Sequence, residues 1–189
     1  MKSLKNIYKH PLISIKDLEI IYKAHKKVFF KKGEYILMTG QIANAYFCIE
    51  KGIVRTYAID YKGNDITTGF IGESEIVVDV FSLFHQSPAK EYIVALTDCE
   101  MYKIDFDTFQ ELYHASKGFN EWGRAWMSHS LFQLKQRIIS MVTEAATDRY
   151  KSLIEERSEI FSQVPLKHIA TYLGITDTSL SRIRKELIK

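Results

Sequence analysis

The chain closes on Val164-Pro-Leu-Lys-His-Ile-Ala-Thr-Tyr-Leu-Gly-Ile-Thr-Asp-Thr-Ser-Leu-Ser-Arg-Ile-Arg-Lys-Glu-Leu-Ile-Lys189. Pro165 suits the first turn of a helix, because a residue there needs no backbone N–H. Gly174 stands where helices commonly end in the left-handed conformation, and Thr176 can cap a helix that follows. The segment therefore predicts two short helices joined by a tight turn.

The second of these helices has two chemically different faces. Leu180, Ile183 and Leu187 recur at three- and four-residue spacing and predict a buried stripe. The opposite face carries hydroxyls and cations, namely Thr178, Ser181, Arg182, Lys185 and Lys189. Such a helix fits the major groove of DNA. A helical hairpin with a solvated basic face is the alternative that the pattern leaves open.

The charges are unevenly spread along the 189 residues, whose formal net charge is +3. Residues 1–27 hold seven Lys or Arg against two Asp or Glu, and residues 165–189 hold five against two. The segment between them is therefore acidic, with a balance of −5. Basic terminal segments and an acidic central segment are typical of a terminal DNA-binding module attached to a domain with a different function.

Cysteine content and hydropathy indicate the compartment. Cys48 and Cys99 lie in apolar runs, where a small buried residue is expected, and two thiols cannot build a four-thiolate cluster or zinc site. The amino-terminal segment is rich in lysine, and no run of about eighteen apolar residues is present. We expect a reduced, cytoplasmic protein without a membrane partner, a metal or a cofactor.

Between Val28 and Ile104 the sequence consists of short aromatic and β-branched runs separated by glycine-containing breaks. Seven runs are strand candidates: 28–30, 35–38, 46–49, 53–57, 66–70, 92–96 and 100–104. Regular short strands with turn signals predict an antiparallel sandwich, barrel or roll. Ser14 can cap an amphipathic helix over 14–27, with Ile15, Leu18, Ile21 and Tyr22 on its apolar face. Further short helices are expected over 79–84, from Asp105 or shortly after it to Leu112, and over 148–157.

A longer helix is expected over 120–143. Its apolar residues are spaced alternately by four and three positions: Met127, Leu131, Leu134, Ile138 and Met141, followed by Ala145. This a/d seam is typical of a helix that packs lengthwise on a partner helix. The alternative is a helix packed on its own β domain. Trp122 and Trp126 are expected to anchor the helix on the strands.

The order of these parts resembles the Crp/Fnr family of bacterial transcription regulators. In the strand region the resemblance rests on Lys32-Gly-Glu34, Gly40, Tyr46-Phe-Cys-Ile49, Gly52, Gly63 and Ala95-Leu-Thr-Asp-Cys-Glu100. The segment 164–184 carries the stronger signal. The resemblance implies an α+β fold with an antiparallel β-roll of the jelly-roll type, a long dimerisation helix and a helix-turn-helix. The corresponding domains are 1–118, 119–146 and 147–189.

The resemblance also assigns the DNA-binding residues. Asp177, Thr178 and Arg182 fall at the base-contacting positions of the family, and only Arg182 keeps the expected side chain, since arginine and glutamate are usual at the first two. Thr176, Ser179 and Ser181 suit phosphate contacts, and Lys185 completes the set. The seam Met127, Leu131, Leu134, Ile138 and Met141 would form a homodimer interface.

The ligand pocket of the family is altered in this sequence. Alignment back from Ala95 places Asp79 at the glutamate that holds a ribose hydroxyl, Ala89 at the arginine that binds the phosphate, and Lys90 at the neighbouring hydroxyl. Without the bidentate arginine, cyclic AMP is not the expected effector. Asp79 and Lys90 remain candidates for another ligand. The alternative is that Phe81, Leu83, Phe84 and Tyr92 simply fill the roll.

These features predict a dimeric DNA-binding regulator that senses an unknown signal. The expected partners are a near-palindromic operator in double-stranded DNA, a second copy of the chain, and RNA polymerase. No enzymatic role is expected, because His85 is the only histidine between residues 28 and 104 and no nucleophile or phosphate-loop motif is present. The alternative is a β-roll sensor or scaffold protein whose terminal helices bind a protein.

Overall fold

A computed structural model describes residues 1–187 of the chain. The last two residues, which include the predicted Lys189, lie outside the described residues. The chain divides into two compact units. Unit 1 comprises Met1–Thr56 and Phe70–His129, and unit 2 comprises Tyr57–Gly69 and the chain from Ser130 onward.

The strands are antiparallel and form two sheets. Their bounds are β1 Lys26–Phe30, β2 Tyr35–Leu37, β3 Ala45–Lys51, β4 Val54–Ile59, β5 Asp65–Ile71, β6 Ile76–Val77, β7 Tyr92–Ala95 and β8 Cys99–Asp105. One sheet has the order β1-β8-β3-β6 and the other β2-β7-β4-β5. The seven predicted strands and the β-roll architecture are confirmed. β6 escaped prediction because two residues are too few to show alternation.

Strands β3 and β8 form the centre of the first sheet. Tyr46 lies opposite Ile104, and Cys48 lies opposite Tyr102. Cys48 and Ile104 are buried together with Met101, and Cys99 is also buried as a free thiol. Both cysteines therefore behave as small buried residues, as expected.

Five helices begin in unit 1: α1 Lys2–Ile7, α2 Ile15–Ala24, α3 Val80–His85, α4 Phe106–Ala115 and α5 Lys117–Thr143. Ser14 caps α2 as predicted and shares a capping box with Asp17, whose carboxylate accepts from the Ser14 N–H at 2.9 Å. Ile15 is 79% exposed, so its predicted place on the apolar face is wrong. The buried face of α2 begins one turn later, at Leu18.

Tryptophan side chains secure the first part of α5 within unit 1. Trp122 is buried, and its indole N–H donates to the Ile7 carbonyl at 2.7 Å. Its ring lies 4.5 Å from that of Tyr8. Trp126 is half-buried and packs against the same core. The predicted anchoring role of Trp122 and Trp126 is confirmed.

A buried polar cluster lies in this core. The Tyr8 hydroxyl is 2.6 Å from that of Tyr46 and 2.9 Å from His25 Nε2. His25 Nδ1 lies 2.7 Å from the Ile21 carbonyl, which can only accept, so Nδ1 carries the proton and Nε2 accepts from Tyr8. Burial lowers the pKa of His25 to about 4 and raises that of the Cys48 thiol to about 12. The imidazole is therefore neutral in the folded protein at neutral pH.

Unit 2 contains the tip of the β4–β5 hairpin, the second half of α5 and four further helices: α6 Ala146–Glu156, α7 Ile160–Gln163, α8 Leu166–Tyr172 and α9 Asp177–Leu187. The predicted helix over 148–157 is confirmed as α6. α7 was not predicted, because a four-residue helix shows no period. Among residues 1–187, every helix is too short or too polar to cross a lipid bilayer.

The buried His25 should make unit 1 sensitive to acid. Its pKa falls from 6.5 to about 4 on folding, so its contribution to stability is complete above pH 6.5 and is lost as the pH drops toward 4. We expect the unfolding free energy to fall between pH 7 and pH 4 by about 3 kcal/mol more in the wild type than in His25→Gln. Urea unfolding followed by tryptophan fluorescence measures this difference. His114→Gln, a substitution at an exposed histidine, is the control and should show the pH dependence of the wild type. If His25→Gln also shows the pH dependence of the wild type, the neutral state assigned to buried His25 is contradicted.

Candidate nucleic-acid interface

The turn between α8 and α9 is a Schellman motif. Gly174 adopts φ +70°, its N–H donates to the Thr171 carbonyl at 3.1 Å, and the Ile175 N–H donates to the Ala170 carbonyl at 3.0 Å. A Cβ at Gly174 would lie 2.5 Å from the Met141 methyl group. The backbone angle favours glycine here, whereas the Met141 methyl group ends a flexible side chain and could move aside.

Thr176 begins α9 as predicted. Its Oγ1 accepts the Ser179 N–H at 3.2 Å, and its carbonyl accepts the Leu180 N–H at 3.0 Å. The Ser179 hydroxyl lies 3.0 Å from Thr176 Oγ1, and Ser179 is half-buried. Both hydroxyls thus serve the helix start. Asp177 occupies the first turn, where a carboxylate favours the helix dipole.

Burial decides which face of α9 meets solvent. Leu180 is 0% exposed and Ile183 is 8% exposed, as predicted. Leu187 is 42% exposed, so its predicted burial is wrong; the apolar stripe ends at Ile183. The remaining predicted site residues of α9 are exposed: Asp177, Thr178, Ser181, Arg182 and Lys185. Positions 178, 181, 182 and 185 share one helical face.

The exposed face combines cations and hydroxyls, and the carboxylates of Asp177 and Glu186 flank it on opposite sides. Arg182 and Lys185 extend from its middle and far turns, Arg184 is half-buried, and Asp177 stands at the start. A guanidinium can bind O6 and N7 of guanine together, and a carboxylate can accept from N4 of cytosine. The face therefore has the chemistry for reading base edges as well as for binding phosphates.

The predicted seam on α5 is not covered by the described chain. Leu131, Leu134 and Ile138 are 68%, 54% and 52% exposed, and Met127 and Met141 are 40% and 39% exposed. Met141 also lies beside Gly174, so the end of the seam supports the helix-turn-helix. Large apolar side chains in a continuous exposed row are typical of an interface.

The roll of unit 1 contains a cavity of about 520 Å³. Its polar lining is Gln41, Asn44 and Asp79, the rest of its lining is apolar, and none of the described residues that line it is Lys or Arg. Asp79 caps α3 by accepting the Ser82 N–H at 2.9 Å. Of the two predicted ligand residues, Asp79 therefore lines the cavity.

Lys90 does not line the cavity: it is exposed, and its ammonium lies 6.0 Å from the centre of the Phe81 ring. Ala89 is buried, with its carbonyl accepting from the Gly40 N–H at 2.9 Å and its N–H donating to the Gln41 carbonyl at 2.8 Å. Within the described residues, His, Cys, Asp and Glu form no group of three that could hold a metal ion.

Two arginines that sequence reasoning missed support the helix-turn-helix. Arg149 of α6 donates to the Leu173 carbonyl at 2.9 Å and to the Glu144 carbonyl at 2.5 Å. Arg137 of α5 donates to the Tyr172 carbonyl at 3.3 Å. No local pattern marks them, because an arginine on an amphipathic helix resembles any solvated cation.

Comparison with known proteins agrees with this architecture. The family model for the cyclic nucleotide-binding domain matches residues 27–116. Electron transport regulator A of Shewanella oneidensis is 22% identical over 169 residues, which are 84% of this chain and 67% of the relative. The fumarate and nitrate reduction regulatory protein of Yersinia pestis is 25% identical over 171 residues, with the same two coverages.

The solved structures include the same fold. FixK2 from Bradyrhizobium japonicum superposes with a TM-score of 0.75 at 14% identity, covering 86% of this chain and 84% of that one. At this identity the superposition establishes the fold, from the β-roll through the long helix to the carboxy-terminal helices.

Proposed function

We propose that this chain is a transcription regulator of the Crp/Fnr family, and that it acts as a homodimer that inserts two copies of α9 into the major groove of DNA. The observation that carries the proposal is the outward polar face of α9, held in place by buried Leu180 and Ile183. The proposed functional parts are the β-roll domain over 1–118, the dimerisation helix over 119–146 and the helix-turn-helix domain over 147–189.

The contacts of α9 can be assigned from its chemistry. Arg182 would bind guanine in a bidentate manner, Asp177 would accept from cytosine, and Thr178 would contact the neighbouring base pair. Lys185 and Ser181 would bind phosphates. Thr176 and Ser179, at the start of α9, would lie near the DNA backbone. Base contacts give sequence preference, whereas phosphate contacts give affinity that depends on salt.

The seam on α5 would form the interface with the second copy of the chain. Pairing of Met127, Leu131, Leu134, Ile138 and Met141 with the same residues of a partner would bury the exposed apolar row. A two-fold dimer reads a near-palindromic operator whose half-sites lie about one helical turn, roughly 34 Å, apart. A regulator bound at such an operator would act on RNA polymerase, which is therefore the proposed protein partner. Because the operator would lie in chromosomal DNA, the proposed location of the chain is the cytoplasm.

The β-roll would bind the effector that regulates the protein. We propose that Asp79 contacts an effector in the cavity, and that this effector is not cyclic AMP, because the lining offers no cation for a phosphate. Lys90, outside the lining, would meet only a group at the surface. The proposed role is regulatory, without catalysis or a resident cofactor.

Selection of duplexes from a random pool tests both the function and Arg182. The wild type should enrich a near-palindromic motif, and Arg182→Ala should lose preference at one position per half-site, at a cost of about 1–3 kcal/mol on the original motif. Lys185→Ala, the matched control, should weaken all duplexes equally. An Arg182→Ala motif identical to that of the wild type would show that Arg182 does not read a base.

Charged residues in the seam should separate the dimer. Leu134→Glu with Ile138→Glu places four carboxylates in one interface, and we expect monomers in sedimentation velocity. The control is Phe132→Glu with Ile139→Glu, on the same helix but off the seam, at residues that are 56% and 42% exposed. This control should stay dimeric. Survival of the dimer in the seam variant would place the interface elsewhere.

Salt titration separates DNA binding from the alternative of a protein partner. Each neutralised phosphate contributes about 0.9 to the slope of log affinity against log salt. We expect a negative slope for the enriched duplex, because Lys185 and the start of α9, which are assigned to phosphates, occur twice in a dimer. Binding that barely responds to salt would favour an apolar protein interface for the terminal helices.

A further inference from the structure

Arg137 of α5 joins three segments of unit 2. Its guanidinium donates to the Thr68 carbonyl of the β4–β5 hairpin, lies 3.5 Å from the Thr67 carbonyl, and donates to the Tyr172 carbonyl of α8 at 3.3 Å. It also stacks on the Tyr172 ring at 4.1 Å. The planar guanidinium has five N–H donors, so one side chain can serve several carbonyls and a ring face together.

The hairpin and α8 are also bonded directly beside Arg137. The Thr171 hydroxyl donates to the His168 carbonyl at 3.1 Å and accepts the Thr67 N–H at 3.2 Å. The Thr67 hydroxyl lies 2.9 Å from it, and Thr67 is 1% exposed. Thr67 is buried and Thr171 is half-buried, so these bonds are partly shielded from water, which strengthens them.

The position of Arg137 on α5 connects this network to the seam. Arg137 follows Leu134 and precedes Ile138, and adjacent residues of a helix point about 100° apart. The same turn of α5 therefore carries the dimer seam on one side and holds α8 on another. Because α8 packs on α9, whatever fixes α8 on α5 also sets where α9 projects from the dimer axis.

We propose that Arg137 is a positioning residue that sets the separation and angle of the two recognition helices, and so determines the spacing between operator half-sites. It would not touch DNA, since its guanidinium is occupied by protein carbonyls and an aromatic ring. The inference rests on the proposed DNA-binding dimer. It adds that the β4–β5 hairpin, whose strands continue into the roll, helps to orient the helix-turn-helix.

The test uses the full chain and the duplex enriched by the wild type, with the spacer between half-sites shortened or lengthened by one and two base pairs. The wild type should lose about tenfold or more in affinity when the spacing is wrong. Arg137→Met should bind the best duplex several-fold more weakly and discriminate much less among spacers. Its dimer mass, its base preference within a half-site and its salt slope should match those of the wild type.

Two further variants separate positioning from folding. Arg137→Lys keeps the charge but loses the planar fork, and should behave like Arg137→Met. Thr171→Val removes the Thr67 bonds at nearly constant volume and should flatten the spacing preference without touching Arg137. Arg124→Met, at an exposed arginine of α5 that pairs with Glu121, is the matched control and should keep the wild-type spacing preference.

The outcomes are distinguishable. A wild type that binds no duplex overturns the proposed function itself. A wild type with a spacing preference that Arg137→Met retains overturns this inference alone. A salt slope reduced by about two in Arg137→Met, roughly one for each subunit, would mean a phosphate contact and would equally overturn it. A loss of affinity that is uniform across spacers would assign Arg137 to general stability.

Discussion

The burial of Leu180 and Ile183 is the constraint on which the function depends. A helix can bury only one stripe, so packing these residues against α8 forces Arg182 and Lys185 outward. The packing in turn uses the left-handed turn at Gly174, whose φ of +70° strains any residue that carries a side chain. The turn at Gly174 therefore allows Leu180 and Ile183 to be buried, and their burial in turn exposes Arg182 and Lys185.

Other parts of the chain support that element and carry the proposed dimer interface and the proposed effector cavity. α5 carries an exposed apolar row for a partner and, through Arg137, a polar anchor for α8. The roll contributes a cavity in which Asp79 is the charged lining residue. In the proposed sensing role, this lining would recognise an effector by shape, amide contacts and a carboxylate, because it offers no cation to a phosphate.

Local chemistry in the sequence accounted for most of the fold. Alternating aromatic and β-branched runs located seven strands, and Ser14, Gly174 and Thr176 marked helix ends, because caps and turns depend on neighbouring residues. The network of Arg137 could not be predicted, since Thr67 and Thr171 meet only after the hairpin and α8 are folded. Alignment with the family pattern places Lys90 beside Asp79, but it cannot show that the Lys90 side chain lies over Phe81. The exposure of Leu187 likewise reflects where the tertiary core ends.

The most direct measurement is dimethyl sulfate protection of guanine N7 on a duplex bound by the full-length protein. This atom lies in the major groove, where Arg182 is expected to contact it. The account predicts protected guanines in two half-sites about ten base pairs apart, centre to centre. Guanines that stay fully reactive in the bound duplex, or protection confined to one isolated site, would contradict insertion of paired α9 helices into the major groove.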